Sequence, residues 1–594
     1  MIKLSDYVMQ YVAGLGVKHV FLLPGGGCMH LVDSLGRNQK LEYVCNLNEQ
    51  AVSIAVEAYG QFTNNLGVGL VTTGPGGTNA VTGVAAAWVD STPCLILSGQ
   101  VKRSDLIGNS GLRQLGMQEI DIISIVKSIT KYAITVLDPQ EIRYHLEKAV
   151  YLAQNGKPGP VWLDLPLDVQ AAMIDSESLA GFDPEASVEN LDKISPLVQR
   201  TIELLNRSQR PCLLVGNGVR LGKAEKEFEE LIRLLNIPVL TTWKAMDFLD
   251  ENDSLFFGRP GSLGQRGANF IQQNADFLLV LGARLDFGQT GYNHGHFAPH
   301  ASKVVVEIDQ SELNKLKMPL EEPGSIDVKS FINKLLDAKA QIGQPDCSEW
   351  LAYCLGMKNR YPVILPEYYN ESEYINPYVL IDLLSKYLDE KAVVVPGSSG
   401  MCSEVTCQAF KVKKGQRILN NQGFGAMGFG LPASLAVCLA SGRKNTVSIN
   451  GDGGFQLNIQ ELETVARLQL PVKYFILNNN GFGAITNTQR AYFSSFYVAS
   501  EPGSGLTLPD ICKLASTYGI PAFRFNKHQV LEKNLKDILA MDGPVICDIM
   551  LDPLQTASPR LSSMKMPDGT MSSKPLEDLW PFLEREEFER NMLK

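Results

Sequence analysis

A chain of 594 residues with 45% hydrophobic and 20% charged side chains has the make-up of a folded multidomain protein, because one core usually serves about 100–200 residues. The formal net charge of −10 comes without any basic stripe, which excludes a nucleic-acid surface, and no apolar run reaches the roughly 20 residues that cross a bilayer. The eleven cysteines lie between Cys28 and Cys547 without CxxC pairs or metal-ligand spacing, so reduced, mostly buried thiols are expected.

The N-terminus begins at once on an amphipathic pattern (Leu4, Tyr7, Val8, Tyr11, Val12), with no basic and apolar leader pattern, and a cytoplasmic protein is expected. Through residue 174, short apolar runs alternate with helical stretches. Strands are predicted at 20–23, 67–71 and 94–97, with helices at 49–60 and 79–88. The polar stretch 175–189 reads as a linker. A second unit, 190–342, carries strand patterns at 212–215, 239–242, 277–281 and 304–308. Beyond an irregular stretch, a third unit, 362–552, carries them at 392–395, 446–449, 473–477 and 545–549. Residues 553–594, rich in Pro, Ser, Met and acids, read as an extended arm rather than a domain. The alternation predicts an α/β fold: three doubly wound parallel-sheet domains in a row, then a C-terminal arm.

The sharpest motif is Gly451-Asp452-Gly453-Gly454-Phe455, followed by Leu477-Asn478-Asn479-Asn480-Gly481-Phe482-Gly483. Asp452 and Asn479 end two apolar strands joined by a helical crossover. Both side chains are therefore expected at the carboxyl edge of a parallel sheet, where such folds bind ligands. A carboxylate, an amide oxygen and a backbone carbonyl leave an octahedral Mg²⁺ room for phosphate oxygens and water. Glycines let the backbone approach phosphates, and the following helix offers its N–H groups. The bland alternative is a pair of Gly/Asn-rich turns.

GDG followed by NN at this interval resembles the thiamine diphosphate signature. By that resemblance Asp452, Asn479 and the carbonyl of Gly481 hold Mg²⁺, and Gly451, Gly453, Gly454, Phe482 and Gly483 surround the coenzyme. In the first unit, Leu23-Pro24-Gly25-Gly26, Asn46-Leu47-Asn48-Glu49-Gln50 and Thr72-Thr73-Gly74-Pro75-Gly76-Gly77-Thr78-Asn79 stand in an order that resembles the pyrimidine-binding domain of the acetolactate synthase family. The resemblance makes Glu49 the catalytic acid that activates the coenzyme through pyrimidine N1′, a role that calls for burial. It also places Pro24, Gly25, Gly26, Thr73, Gly74 and Asn79 near the pyrimidine. Alone, Glu49 would be a solvated helix-entry residue. Gly423-Phe424-Gly425-Ala426-Met427-Gly428 resembles the segment that props the coenzyme into a V, with Met427 as the wedge and Gly425 beside it. For Met427 the plain alternative is core packing. Gly397-Ser398-Ser399 resembles a second diphosphate turn, with serines where relatives carry Gln-His. Because glutamate and metal motif sit in different domains, the family implies a site shared between subunits, in a dimer or a tetramer.

Leu115-Gly116-Met117-Gln118-Glu119 resembles the family's FQE segment with Met117 for Phe, and Gln118 is expected near the reacting carbon. No adjacent His pair is present to protonate the two-carbon fragment, so ligation to a second carbonyl is favoured over aldehyde release. Where biosynthetic acetolactate synthases carry an Arg and a Trp that help choose a second keto acid, this chain has Thr486 and Thr488. The tail resembles tails of relatives linked to surface polysaccharides, some of which extend nucleotide-linked keto sugars. In the central unit, Gly216, Asn217, Gly218, Gly264, Gly282, Arg284, Glu307 and Ile308 fall where acetolactate synthases bind FAD, so a structural flavin is expected. A non-ligating decarboxylase or oxidase is the second reading. A silent relative is the third, and it would be expected to lose Glu49, Asp452 or Asn479.

Overall fold

The computed structural model describes residues 1–184, 191–343, 346–370, 372–565, 568 and 571–593, so the predicted linker lies partly outside the described residues. The first unit is a six-stranded, all-parallel sheet. From edge to edge its strands are Glu42–Cys45, His19–Leu22, Gly67–Val71, Cys94–Gln100, Pro160–Pro166 and Tyr132–Thr135. The third unit repeats that order with Arg417–Ile418, Val393–Pro396, Thr446–Gly451, Val472–Asn478, Val545–Met550 and Ala522–Phe525. Between them is a four-stranded parallel sheet, Val239–Thr241, Pro211–Val215, Phe277–Leu281 and Ser302–Val306. The expected three doubly wound domains are present.

Within the three parallel sheets, five described strands escape the sequence pattern for a physical reason. Glu42–Cys45, Tyr132–Thr135, Arg417–Ile418 and Ala522–Phe525 are the outer strands of their sheets. They face solvent on one side and lack a continuous apolar run. Pro160–Pro166 is bracketed by prolines, which read as punctuation.

Helix Glu49–Thr63 starts where the Asn48 side chain accepts from Gln50 N at 2.8 Å and stops at Asn64 in the left-handed region, a clean N-cap and C-cap. Its apolar residues Val52, Ala55 and Val56 share one core with Leu431, Leu435 and Leu439 of helix Gly430–Ala440. The first and third units of one chain are thereby packed together. Asn46 Nδ2 and Leu47 N also donate to the Glu461 carboxylate at 2.9 and 2.7 Å.

The tail is not wholly extended: it carries a short antiparallel pair, Ser563–Lys565 with Met571–Ser573, and a final helix, and its own chain holds it. Asn269 Nδ2 donates to Leu576 O (2.7 Å) and Asn274 Nδ2 to Asn591 O (3.0 Å). Leu576 and Leu579 are buried, and the tail ends in helix Arg585–Asn591. No described helix is long and apolar enough to cross a membrane, and all eleven cysteines are free.

Candidate active site

At the carboxyl edge of the third sheet, the turns after strands Val393–Pro396, Thr446–Gly451 and Val472–Asn478 open into a cleft of about 760 Å³. The first two are neighbours between which the strand order reverses, the usual ligand crevice of a doubly wound sheet. Gly397, Ser398, Ser399, Gly425, Met427, Gly451, Asp452, Gly453, Gly454, Asn479, Gly481, Phe482 and Gly483 all line this cleft. The structure thus brings every predicted third-unit residue together.

Asp452 is almost fully buried. Its Oδ1 accepts from Gly453 N at 2.8 Å and its Oδ2 from Gly481 N at 3.1 Å. Burial pushes its carboxyl up to about 7 against the pull of those N–H groups, so the ionised form lacks a full counter-charge. One polar atom of the Asn479 amide lies 2.9 Å from the Gly481 carbonyl oxygen and 3.2 Å from Asp452 Oδ1. With nitrogen there, the amide donates to both. With oxygen there, three oxygens converge at the spacing of adjacent octahedral ligands, since 2.0–2.1 Å bonds at right angles put them about 2.9 Å apart. The donor set therefore fits a hard cation. Nearby, the buried Ser398 Oγ has no hydrogen-bond partner, which fits a turn that meets a phosphate oxygen.

The first-unit residues gather at the matching edge of the first sheet. Pro24, Gly25 and Gly26 follow strand His19–Leu22, and Thr73 and Gly74 follow Gly67–Val71. Thr73 Oγ1 donates to Gly99 O at 3.0 Å. Glu49 opens its helix with only 7% exposure and accepts from Asn79 Nδ2 at 3.0 Å. Gln118 adopts φ 65°, and its carbonyl lies 2.1 Å from where a Cβ on Gly74 would stand. Only glycine lets that loop close on the sheet edge. Buried Glu119 braces the loop by accepting from Leu115 N (3.1 Å) and Gly116 N (3.2 Å). No described first-unit residue lines the Asp452 cleft. Within one chain the two edges do not form one pocket.

A second cleft, of about 550 Å³, holds all eight residues singled out in the central unit: Gly216, Asn217, Gly218, Gly264, Gly282, Arg284, Glu307 and Ile308. Sequence reading missed that the other units also contribute walls, among them Asp90, Lys157, Asn420 and Gln422. Arg284 Nη1 donates to Val89 O (3.3 Å), and Lys244 Nζ pairs with Asp90 Oδ2 (2.8 Å). Burial raises the Glu307 carboxyl above its ordinary range. The buried Gln422 Nε2 has no partner. A spare amide donor, a cation and apolar walls fit a polar, ring-bearing cofactor such as a flavin. Also missed as site residues were Glu404, Arg560 and Trp580, which line the first cleft; the sequence offered Arg560 only as part of the tail's resemblance.

Two matched sheets with an acid on one edge and an oxygen cluster on the other define a thiamine pyrophosphate (thiamine diphosphate) enzyme. Family models agree: the N-terminal TPP binding domain matches residues 2–125, the central domain 198–335 and the C-terminal TPP binding domain 398–549. The chain is 31% identical to the acetolactate synthase large subunit of Cyanidium caldarium over 562 residues, 92% of this chain and 93% of that one. It is 31% identical to the acetolactate synthase isozyme 2 large subunit of Escherichia coli K12 over 580 residues, 97% of this chain and 99% of that one. A probable acetolactate synthase large subunit of Methanocaldococcus jannaschii is also 31% identical, over 93% and 92% of the two chains. The chain belongs to the acetolactate synthase-like family of thiamine pyrophosphate-dependent enzymes.

Proposed function

We propose that this enzyme decarboxylates a 2-keto acid, pyruvate first among them, and joins the two-carbon remainder to a second carbonyl. The convergence of Asp452, Asn479 and the Gly481 carbonyl beside the unpartnered Ser398 hydroxyl carries the reading. In it, these oxygens hold Mg²⁺ and Ser398 donates to the diphosphate. Thiamine diphosphate, when bound, supplies a carbon nucleophile for the keto carbon and a sink for the electrons left by departing CO₂. Met427, which lines the cleft, would be the side chain that props the coenzyme. Glu49 holds and returns a proton at pyrimidine N1′, and its burial excludes water from that exchange. Gln118, exposed on its loop, would be the first-unit side chain to approach the reacting carbon. With no histidine pair to quench the fragment, ligation prevails.

The two edges meet, in this reading, across a homodimer or within a tetramer. Exposed apolar side chains support it: Met117 (87% exposed) lies on the Gln118 loop, and Phe493 (61%) and Phe496 (73%) follow helix Gly483–Tyr492. The units 1–174, 190–342 and 362–552 act as pyrimidine, central and diphosphate domains, and the arm is 553–594. FAD occupies the second cleft as a structural group, and the cytoplasm is the site of action. Thr488, exposed and lining the first cleft, favours a second reading of the acceptor, a nucleotide-linked keto sugar in place of a second keto acid.

The test is to supply pyruvate, thiamine diphosphate and Mg²⁺. Acetolactate supports the main reading. CO₂ release that waits for a keto sugar supports the second. Acetaldehyde or acetate as the sole product would overturn both.

A further inference from the structure

The cleft that contains Asp452 has a single cation among its described lining residues, Arg560. This residue comes from the tail. The tail is fixed along the cleft by Leu561 N donating to Ser262 O (2.6 Å) and by a two-way backbone bridge between Arg560 and Trp580 (2.9 and 2.7 Å). The guanidinium lies 5.3 Å from the centre of the Trp580 ring, and Trp580 lines the same cleft. Among the described residues the Arg560 side chain has no hydrogen-bond or ion-pair partner, whereas Arg490 on the neighbouring helix is bonded to Asn487 Oδ1 (2.7 Å) and Leu554 O (3.2 Å). A fork of five donors, pre-oriented on an indole and left unpaired inside a cleft, is built to receive anionic oxygens.

We propose that Arg560, stacked on Trp580, receives the anionic group of the second substrate, a carboxylate or a phosphate. The inference rests on the ligation proposed above. Helix Gly483–Tyr492 brings Ile485, Asn487 and Thr488 to the cleft and no cation, so among the described lining residues only the tail supplies positive charge for an acceptor. Two rival roles for Arg560 exist. It could hold the coenzyme's diphosphate, or it could only offset Glu404, whose carboxyl burial pushes up and Arg560 pulls down.

The experiment uses the full-length protein loaded with thiamine diphosphate and Mg²⁺, as wild type, R560Q, R560K, E404Q and R560Q/E404Q. Acceptors are pyruvate, a uridine diphosphate-linked 4-keto sugar and neutral benzaldehyde. The expected result for R560Q is a fall of at least tenfold in ligated product per CO₂ released with an anionic acceptor. The fall with benzaldehyde should be under threefold, and R560K should recover part of the loss. Whichever anionic acceptor suffers the fall identifies the group as carboxylate or phosphate. Calorimetric titration of the loaded protein with 2-oxobutyrate and with uridine diphosphate gives a readout independent of turnover, and R560Q should weaken one of them at least tenfold. Equal losses with charged and neutral acceptors, a matching loss of coenzyme affinity, restoration by E404Q, or unchanged affinity for both titrants would each overturn the proposal. Wild-type protein that releases no CO₂ from pyruvate with any of the three acceptors would sink the ligation reading instead, and the titrations would still decide the role of Arg560.

Discussion

The first and third domains are the same sheet used twice. Numbered in chain order within each domain, the strands run 2-1-3-4-6-5 in both. The turn after strand 1 is Pro24-Gly25-Gly26 in one and Gly397-Ser398-Ser399 in the other. Strand 3 leads to Thr73-Gly74 and to Asp452-Gly453. Strand 4 leads toward the Gln118 loop and to Asn479-Asn480-Gly481. The backbone is alike, so the chemistry differs only through the side chains at the strand ends: a cluster of oxygens around Asp452 on one edge, the buried Glu49 on the other. A fold that positions ligands does not choose them.

Removing an acid from either edge should break the enzyme in different ways. The largest effect is expected for Glu49→Gln, a loss of about 10²–10⁴ in turnover, with coenzyme binding nearly intact. Proton–deuterium exchange at the coenzyme's C2, followed by NMR, should slow by a similar factor, and unchanged exchange would remove Glu49 from the reaction. Asp452→Ala should instead lose Mg²⁺-dependent coenzyme retention, read as coenzyme remaining after dialysis. Full occupancy would count against the oxygen cluster as a cation site. Mixing the two variants sharpens the comparison. If the edges meet across subunits, random dimers of Glu49→Gln and Asp452→Ala chains regain up to about a quarter of wild-type activity, because half the dimers carry one intact site of two. A site within one chain regains none.

The second cleft should respond separately. Gly282 has φ 59°, and a Cβ on it would stand 2.7 Å from the Gly218 Cα. Gly282→Ala therefore forces apart the turn that brings the two glycines together, at a cost of about 1–3 kcal/mol. Bound flavin, read by its visible absorbance, should fall several-fold, with thiamine diphosphate affinity changed less than twofold. Equal loss of both cofactors would mean that the clefts are one site.

Much of this was legible in the sequence because glycine, Asp and Asn at strand ends are local signals. The strands 67–71 and 277–281 read true to the residue, since fully buried strands are continuous apolar runs. The edge strands did not, because their exposed faces carry residues such as Glu42 and Arg524. Glu49 and Asp452 were recognisable one by one, but their failure to share a cleft depends on how whole domains pack. Arg560 was invisible as a site residue. It lies more than a hundred residues from Asp452, and only the path of the tail across the central domain carries it to the cleft.

The smallest effect on catalysis is expected where the two sheets differ deep inside. Strand 6 carries a fully buried aspartate at the same place in each, Asp164 and Asp548, and strand 4 offers each an amide, Gln100 at 3.2 Å and Asn478 at 2.8 Å. Strand 5 differs. Thr135 donates to Asp164 (3.0 Å), whereas Arg524 donates to Asp548 (2.7 Å). With only neutral partners, Asp164 is pushed by burial up to about 7, well above its value in an unfolded chain. The folded state then holds a proton that the unfolded state has released, so stability is fullest below about pH 4 and declines as pH rises toward 7. Asp164→Asn should abolish that decline, worth about 2–4 kcal/mol, without changing the sheet. Unfolding midpoints compared at pH 5 and pH 7.5 should therefore fall less for the variant than for wild type. Asp548→Asn, which leaves Arg524 only its second carboxylate, Asp510 (2.8 Å), should lower the midpoint at both pH values. Parallel midpoint curves for wild type and Asp164→Asn would show that Asp164 is ionised in the fold, held so by its neutral donors Ser98, Gln100 and Thr135.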